Sequence, residues 1–148
     1  MSDPYKSVGW GLIGPGRFAR EFAEELVKIH RAKPVAVASR NLEKAECFAS
    51  DFGFEKAYGS YGELFADEAI DIVYVVVPHV FHAEVASEAI RAGKAVLCEK
   101  PLTPDPAETR GLTSLAKEKG VFLMEAMKTG FLPAIQTAKA WIDEGRIG

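Results

Sequence analysis

Six residues, Gly14-Pro15-Gly16-Arg17-Phe18-Ala19, constrain the fold of this chain more than any others, because of what flanks them. Before them, Val8-Gly9-Trp10-Gly11-Leu12-Ile13 is short and apolar, the pattern of a buried strand. After them, Arg17 to His30 carries Phe18, Phe22, Leu26 and Ile29 at helical spacing, which predicts one inward helix face. A strand that passes through G-x-G-x-x-A straight into a helix has a defined geometry. The first glycine permits the tight turn, the second lets a pyrophosphate approach the backbone, and a small last residue lets helix and strand pack closely. The helix N-terminus then offers unpaired N–H groups to phosphates. The motif alone also fits a plain turn, and its strand–turn–helix setting is what gives it meaning.

The same alternation repeats along the chain. Pro34 to Ser39 predicts a second strand. Asn41 caps a helix to about Phe52, with Leu42, Ala45, Phe48, Ala49 and Phe52 inward and Gly53 as its stop. Lys56-Ala57-Tyr58 is a third strand, and Ser60-Tyr61-Gly62-Glu63 is a capping box that starts a short helix. Asp71 to Val77 is continuously apolar and β-branched after its first residue, the pattern of a parallel strand covered on both faces, and Pro78 stops it. A helix to Ala92 follows, with Val85, Ala86, Ala89 and Ile90 inward and Gly93 as its stop. Ala95 to Cys98 is strand five, and the segment Thr103 to Glu108 opens a helix that ends at Gly120. Val121 to Met124 is strand six, and a last helix runs from about Pro133 to Asp143. Six strands alternating with helices imply an α/β fold, a doubly wound parallel sheet in three layers of the Rossmann type. One domain over residues 1–148 is expected, with a core of about 7–127 and a final helix of about 133–144.

Charge and composition narrow the partners. The net charge is −3, without the basic surplus that a binder of phosphate backbone usually carries, so no nucleic-acid partner is expected. The longest apolar run, Ile72 to Pro78, is too short to cross a bilayer, so no membrane partner is expected. Residues 1–6 lack the basic and apolar regions of a leader. The two cysteines, Cys47 and Cys98, lie far apart in unlike contexts and read as reduced, so a cytoplasmic protein is the expectation. His79 and His82 lie three residues apart with no third ligand evident, and no metal is expected.

Strand two ends in Ser39-Arg40, where an NAD binder ordinarily places a carboxylate for the ribose 2′-hydroxyl. A guanidinium suits a 2′-phosphate, which favours NADP over NAD as the cofactor. Arg40 could instead stack on adenine or lie in solvent.

The stretch Ala92 to Leu102 contains Glu99-Lys100-Pro101 directly after strand five, beyond the carboxyl ends of the strands, where open α/β sheets bind ligands. With the glycine turn and Val77-Pro78-His79-Val80-Phe81-His82, in this order, the chain resembles the Gfo/Idh/MocA oxidoreductase family over essentially all its length. Val121 to Met127, followed by Phe131-Leu132-Pro133, is similar to the branch of that family that includes dihydrodiol dehydrogenase. Lys128 and Gly130 depart from that branch, which has Trp and Arg there, and Lys128 reads equally as a site residue or a solvated loop lysine.

The resemblance implies roles. Lys100 would polarise a substrate hydroxyl or carbonyl oxygen during hydride transfer, a role its cationic amine suits. Glu99 would orient that lysine or the cofactor ribose, and Pro101 would lie near the nicotinamide. Pro78, His79 and His82 would form the loop beside the nicotinamide ribose, with helix capping as the alternative for His82. The glycine-turn residues Gly14, Pro15, Gly16, Arg17 and Phe18 complete the expected cofactor contacts, together with Ser39 and Arg40. Trp141 is expected to pack, against this domain or a neighbour.

The resemblance also implies a second α/β domain beginning near Gly148, which would supply the remaining wall of the substrate pocket and through which the full-length form would assemble as a homo-oligomer. The 148 residues are therefore expected to bind a nicotinamide dinucleotide with little or no turnover. The reading is the cofactor half of a dehydrogenase or reductase acting on a sugar, polyol or diol-like small molecule. A non-catalytic sensor of the same fold and a generic nucleotide-binding module are the competing readings. The second of these leaves Glu99-Lys100-Pro101 unexplained.

Overall fold

A computed structural model describes residues 7–147. The expectation for residues 1–6, and Gly148, lie outside the described residues. The described chain forms β1 (Val8–Ile13), α1 (Arg17–Leu26), β2 (Ala32–Ala38), α2 (Leu42–Phe52), β3 (Lys56–Tyr58) and α3 (Tyr61–Ala66). It continues with β4 (Ile72–Val75), a 3-10 turn (His79–Phe81), α4 (His82–Arg91), β5 (Ala95–Cys98) and α5 (Pro106–Lys119). β6 (Leu123–Glu125), a 3-10 turn (Lys128–Phe131) and α6 (Pro133–Asp143) follow.

The strands pair in the order β3-β2-β1-β4-β5-β6, every neighbour parallel. This is the doubly wound sheet that the alternation predicts. The chain leaves β1 toward β2 and later crosses back to β4 on its other side, so the loops after β1 and β4 diverge and open a crevice. Alternate residues of each strand serve opposite layers. Ile13, Val73, Val75, Val96 and Cys98 pack in one core cluster with residues of α3, α4 and α5. Leu12, Val37 and Tyr74 pack in the other with α1 and α2.

Local chemistry sets the helix ends. Asn41 accepts from the Lys44 N–H, Asp105 accepts from the Ala107 N–H, and Ser60 and Glu63 complete both bonds of the capping box. Gly53 and Gly120 close α2 and α5 at positive φ.

Several boundaries differ from the sequence reading. α1 ends at Leu26, four residues short of His30, because the Lys28 and Ile29 N–H groups bond back to Glu25 and Leu26 and tighten the last turn. The chain then has to reach β2, which starts at Ala32 rather than Pro34. Pro34 is tolerated inside β2 because β1 bulges beside it, between Trp10 and Gly11, and β3 pairs only from Ala36 onward. α1 meets the sheet through Ala19, Ala23 and Leu26, and the two small alanines bring the helix close. Phe18 and Ile29 are left 49% and 54% exposed, and Leu42 on α2 is 45% exposed, all three expected inward.

β4 ends at Val75 although the apolar run continues to Val77, because β1 turns away at Gly14 and removes the partner. β6 starts at Leu123, two residues late, since the Val121 N–H is spent closing α5 on Ala116. α6 buries none of its residues, and Trp141 lies 40% exposed beneath the Arg146 guanidinium rather than packed in this domain.

Two glycines test this packing in opposite directions. A Cβ at Gly9 would fall on the Ala69 carbonyl, whereas one at Gly111, inside α5, meets nothing within 4 Å. Gly9→Ala is expected to lower stability by about 2 kcal/mol. Gly111→Ala is expected to raise it by about 0.5–1 kcal/mol, as an alanine replacing a mid-helix glycine. Urea unfolding of the two variants checks both signs.

Candidate functional site

The site lies at the carboxyl ends of β1, β2, β4 and β5. Gly14 turns the chain out of β1 at φ +95°, and its N–H donates to the Ala38 carbonyl at 3.1 Å. A Cβ there would meet the Val76 carbonyl oxygen at 2.9 Å, so only glycine lets the turn lie this close to the loop after β4. Gly16, whose N–H donates to the Gly14 carbonyl at 2.8 Å, faces open space: a Cβ on it would meet nothing within 4 Å. Gly16 is the N-cap of α1 and supplies no side-chain cap, whereas α2, α3 and α5 each carry one. The first-turn N–H groups of α1 thus open onto a cradle that no side chain fills. Its shape fits the phosphates of a dinucleotide. Pro15 is half-buried in the turn, and the exposed Arg17 guanidinium lies 4.8 Å from the centre of the Phe18 ring.

At the end of β2, Ser39 donates its N–H to the Tyr58 carbonyl and accepts the Asn41 N–H on Oγ at 3.1 Å. The exposed Arg40 reaches across to the loop after β4, its guanidinium 5.8 Å from the centre of the Phe81 ring. Among the described residues it has no carboxylate partner. Phe81 was not singled out in the sequence; it faces Arg40 only because the β2 and β4 loops lie side by side.

Glu99 is held at three points. Its N–H donates to the Val75 carbonyl at 2.9 Å, Oε1 accepts the Tyr74 hydroxyl at 2.7 Å, and Oε2 accepts the Lys100 N–H at 3.1 Å. Tyr74 is 2% exposed and stacks on Phe22 of α1 with ring centres 4.0 Å apart. Burial, then the Glu99 carboxylate, pushes its phenol well above the usual tyrosine range, so it stays a donor. One residue past Pro101, the Leu102 N–H donates to Glu125 Oε1 at 2.7 Å. Tyr74 and Glu125 are thus supports of the motif that sequence reasoning missed. A lone hydroxyl in the otherwise apolar β4 run was the available signal, since a buried phenol needs a partner. Burial pushes the Cys98 thiol up to about 12, which keeps it a neutral core residue.

Lys100 is exposed, and its amine has no hydrogen bond or ion pair among the described residues. With Glu99, Tyr74, Phe18, Phe22 and Lys128 it lines an open cavity of about 710 Å³ on the α1 side of β5 and β6. Pro78, His79 and Pro101 are exposed nearby on their loops.

His82 departs from both of its expected places. It is fully buried, with Nδ1 2.9 Å from the Pro101 carbonyl oxygen and Nε2 2.9 Å from that of Val77. Neither nitrogen is left for a ligand, and the ring caps no helix N–H, since α4 has no side-chain cap. Among the described residues no three His, Cys, Asp or Glu side chains gather as metal ligands, and no helix is long and apolar enough to cross a membrane.

A parallel sheet in this order, with an uncapped glycine turn at its switch point, defines a dinucleotide-binding Rossmann domain. Comparison with known proteins gives the family. Residues 8–127 match the model described as an oxidoreductase family with an NAD-binding Rossmann fold, and the chain belongs to this Gfo/Idh/MocA family.

Among its relatives, trans-1,2-dihydrobenzene-1,2-diol dehydrogenase of Mus musculus is 40% identical over 144 residues, covering 96% of this chain and 43% of that protein. The Xenopus laevis protein of the same name is 40% identical over 141 residues, covering 94% and 43%. The chain therefore spans less than half the length of these relatives. Among solved structures, the 3-ketoreductase KijD10 of Actinomadura kijaniata in complex with NADP superposes with a TM-score of 0.87 at 36% identity, covering 97% of this chain and 46% of that one. A putative NADPH-dependent oxidoreductase of Desulfitobacterium hafniense gives 0.90 at 30% identity, covering 97% and 42%. The chain is accordingly an NAD(P)-binding oxidoreductase domain by fold and family.

Two variants test the clamps. Gly14→Ala combines positive φ with the Val76 contact and is expected to cost about 3 kcal/mol of stability. Tyr74→Phe keeps the stacked ring but removes the bond to Glu99, an expected cost of about 1–2 kcal/mol. Urea midpoints at constant slope give both values, and an unchanged Tyr74→Phe midpoint would contradict the clamp.

Proposed function

We propose that this chain is the cofactor-binding part of an NAD(P)-dependent dehydrogenase or reductase acting on a sugar, polyol or diol-like small molecule, with NADP the preferred cofactor. The observation that carries the reading is the union at one sheet edge of an uncapped glycine turn with a lysine whose neighbouring carboxylate is pinned from inside the sheet. The bound nicotinamide would donate or accept hydride; the chain's own residues bind, orient and polarise.

In this reading the backbone of Gly14, Pro15, Gly16, Arg17 and Phe18 cradles the pyrophosphate at the N-terminus of α1. Ser39 and Arg40 receive the adenosine ribose, where a guanidinium with no carboxylate partner among the described residues favours a 2′-phosphate. Pro78, His79 and Pro101 flank the nicotinamide end. Lys100 is the catalytic residue that would polarise the substrate oxygen, and Glu99 orients it while Tyr74 holds Glu99. The NADP complex of the 3-ketoreductase and the names of the dehydrogenase relatives support this assignment.

The remaining wall of the substrate pocket is assigned to a second domain, in keeping with the greater length of the relatives. The full-length form is read as a homo-oligomer. For the 148 residues in hand we expect binding with little or no turnover, since hydride transfer needs a closed, dry pocket. Steady oxidation of candidate diols by this chain would refute that expectation.

Calorimetric titration with NADP+ and NAD+ tests the cofactor assignment. NADP+ is expected to bind more tightly, and Arg40→Ala to weaken NADP+ by about tenfold or more while leaving NAD+ nearly unchanged. Equal affinities, unaltered in Arg40→Ala, would sink the preference.

A further inference from the structure

The arginines that lie over aromatic rings divide into two kinds. Arg20, beside Phe48 and Phe52, also pairs with Asp51 at 2.9 Å, and Arg146, over Trp141, pairs with Glu144 at 3.6 Å. Arg17, over Phe18, and Arg40, over Phe81, have no carboxylate partner among the described residues. These two stand at the crevice, Arg17 in the glycine turn and Arg40 just past β2. Glu43, in the first turn of α2, makes no ion pair with Arg40.

The Arg40 contact joins two fixed mounts. Ser39 donates its N–H to the Tyr58 carbonyl at 3.1 Å, and Asn41 caps α2, so the backbone is held on both sides of Arg40. Phe81 ends the 3-10 turn His79–Phe81, its N–H donates to the Pro78 carbonyl at 2.9 Å, and His82 after it is buried. β2 and β4 flank β1 in the sheet, so side chains that meet from their loops do so across the outlet of the glycine turn. Phe81 itself is 39% exposed and belongs to neither core cluster, so the core does not account for its ring. A ring face attracts a guanidinium without neutralising it, and the planar cation keeps its fork of N–H donors for a second partner. A carboxylate in the same place would hold Arg40 as well but would repel a phosphate. Holding the long side chain in advance also lowers the ordering cost of binding.

We propose that Phe81 is a specificity-determining positioning residue: its ring presents the Arg40 guanidinium to a phosphate monoester on the adenosine ribose and so contributes to the preference for NADP over NAD. The inference rests on the cofactor reading above and adds to it a residue outside the expected contacts. Because Phe81 acts through Arg40, it discriminates only between ligands that differ at the ribose 2′ position.

Calorimetric titration of Phe81→Leu, which keeps apolar bulk without a ring, tests this. NADP+ is expected to bind about threefold to fivefold more weakly than to the unaltered chain, while NAD+ changes by less than about twofold. Phe81→Tyr, which keeps the ring, is expected to bind both cofactors within about twofold of the unaltered chain. In an Arg40→Ala background Phe81→Leu is expected to cost NADP+ nothing further. Equal losses for both cofactors would make the ring a general wall of the adenosine site and overturn the inference. An unchanged NADP+ affinity, or a further loss in the Arg40→Ala background, would overturn it too.

Failure of the unaltered chain to bind NADP+ would overturn this inference together with the reading beneath it. NADP+ bound with its preference intact in Phe81→Leu would overturn this inference alone. Should Phe81→Leu not fold, proton NMR of the unaltered, cofactor-free chain decides. The Arg40 side-chain protons are expected upfield of their unstructured-peptide positions, under the ring current of Phe81. Unshifted protons would overturn the contact and the role built on it.

Discussion

The site depends on a close approach between two backbones. Gly14 turns out of β1 within van der Waals reach of the Val76 carbonyl, at a backbone angle that side chains disfavour. That contact holds the loops after β1 and β4 together at the point where the sheet reverses its winding direction. It also aims α1, whose first turn carries no side-chain cap, across the crevice. At the starts of α2, α3 and α5 a polar side chain meets the helix end, from Asn41, Ser60 and Asp105 respectively. Leaving the first turn of α1 open makes physical sense where a ligand's phosphate takes the place of the cap.

A second layer of order fixes the Glu99-Lys100 segment at the far side of the crevice. Tyr74 projects from β4 into the layer of α1, stacks on Phe22, and spends its hydroxyl on Glu99. Helix α1 and the Glu99-Lys100 segment are therefore braced through one aromatic pair. On the opposite face of the sheet His82 joins the loops after β4 and β5, and Glu125 holds Leu102. Among the described residues the exposed Lys100 amine makes no bond, at the end of an otherwise tethered segment. A cation without such a partner can answer a developing charge on a substrate oxygen without first breaking a local bond.

Much of this architecture could be read from residue patterns because its causes are local. Alternation of apolar runs with helical stretches carried the sheet and its three layers. Asn41, Ser60-Glu63 and Asp105 marked helix starts, and Gly53, Gly93 and Gly120 marked stops. What escaped has causes distant in sequence. Phe18, Ile29 and Leu42 obey helical spacing but lie outward, since small alanines at Ala19 and Ala23 decide how α1 sits. β4 stops where its partner turns away, which nothing within Asp71 to Val77 reveals. Tyr74 and Glu99 stand 25 residues apart, and Leu102 and Glu125 stand 23 apart, so no local spacing marks either pair. His82 carried a recognisable motif position, yet its ring faces backbone rather than ligand, a distinction that only the folded loops make.

The central claim is that one dinucleotide spans the crevice from the glycine turn to the Glu99-Lys100-Pro101 loop. Backbone amide NMR during NADP+ titration of the chain tests it most directly. The account predicts that Gly14, Gly16, Arg17 and Phe18 shift along one saturating curve with Glu99 and Lys100, while amides at the capped start of α5 stay still. Shifts confined to one of the two segments, or centred away from both, would contradict it.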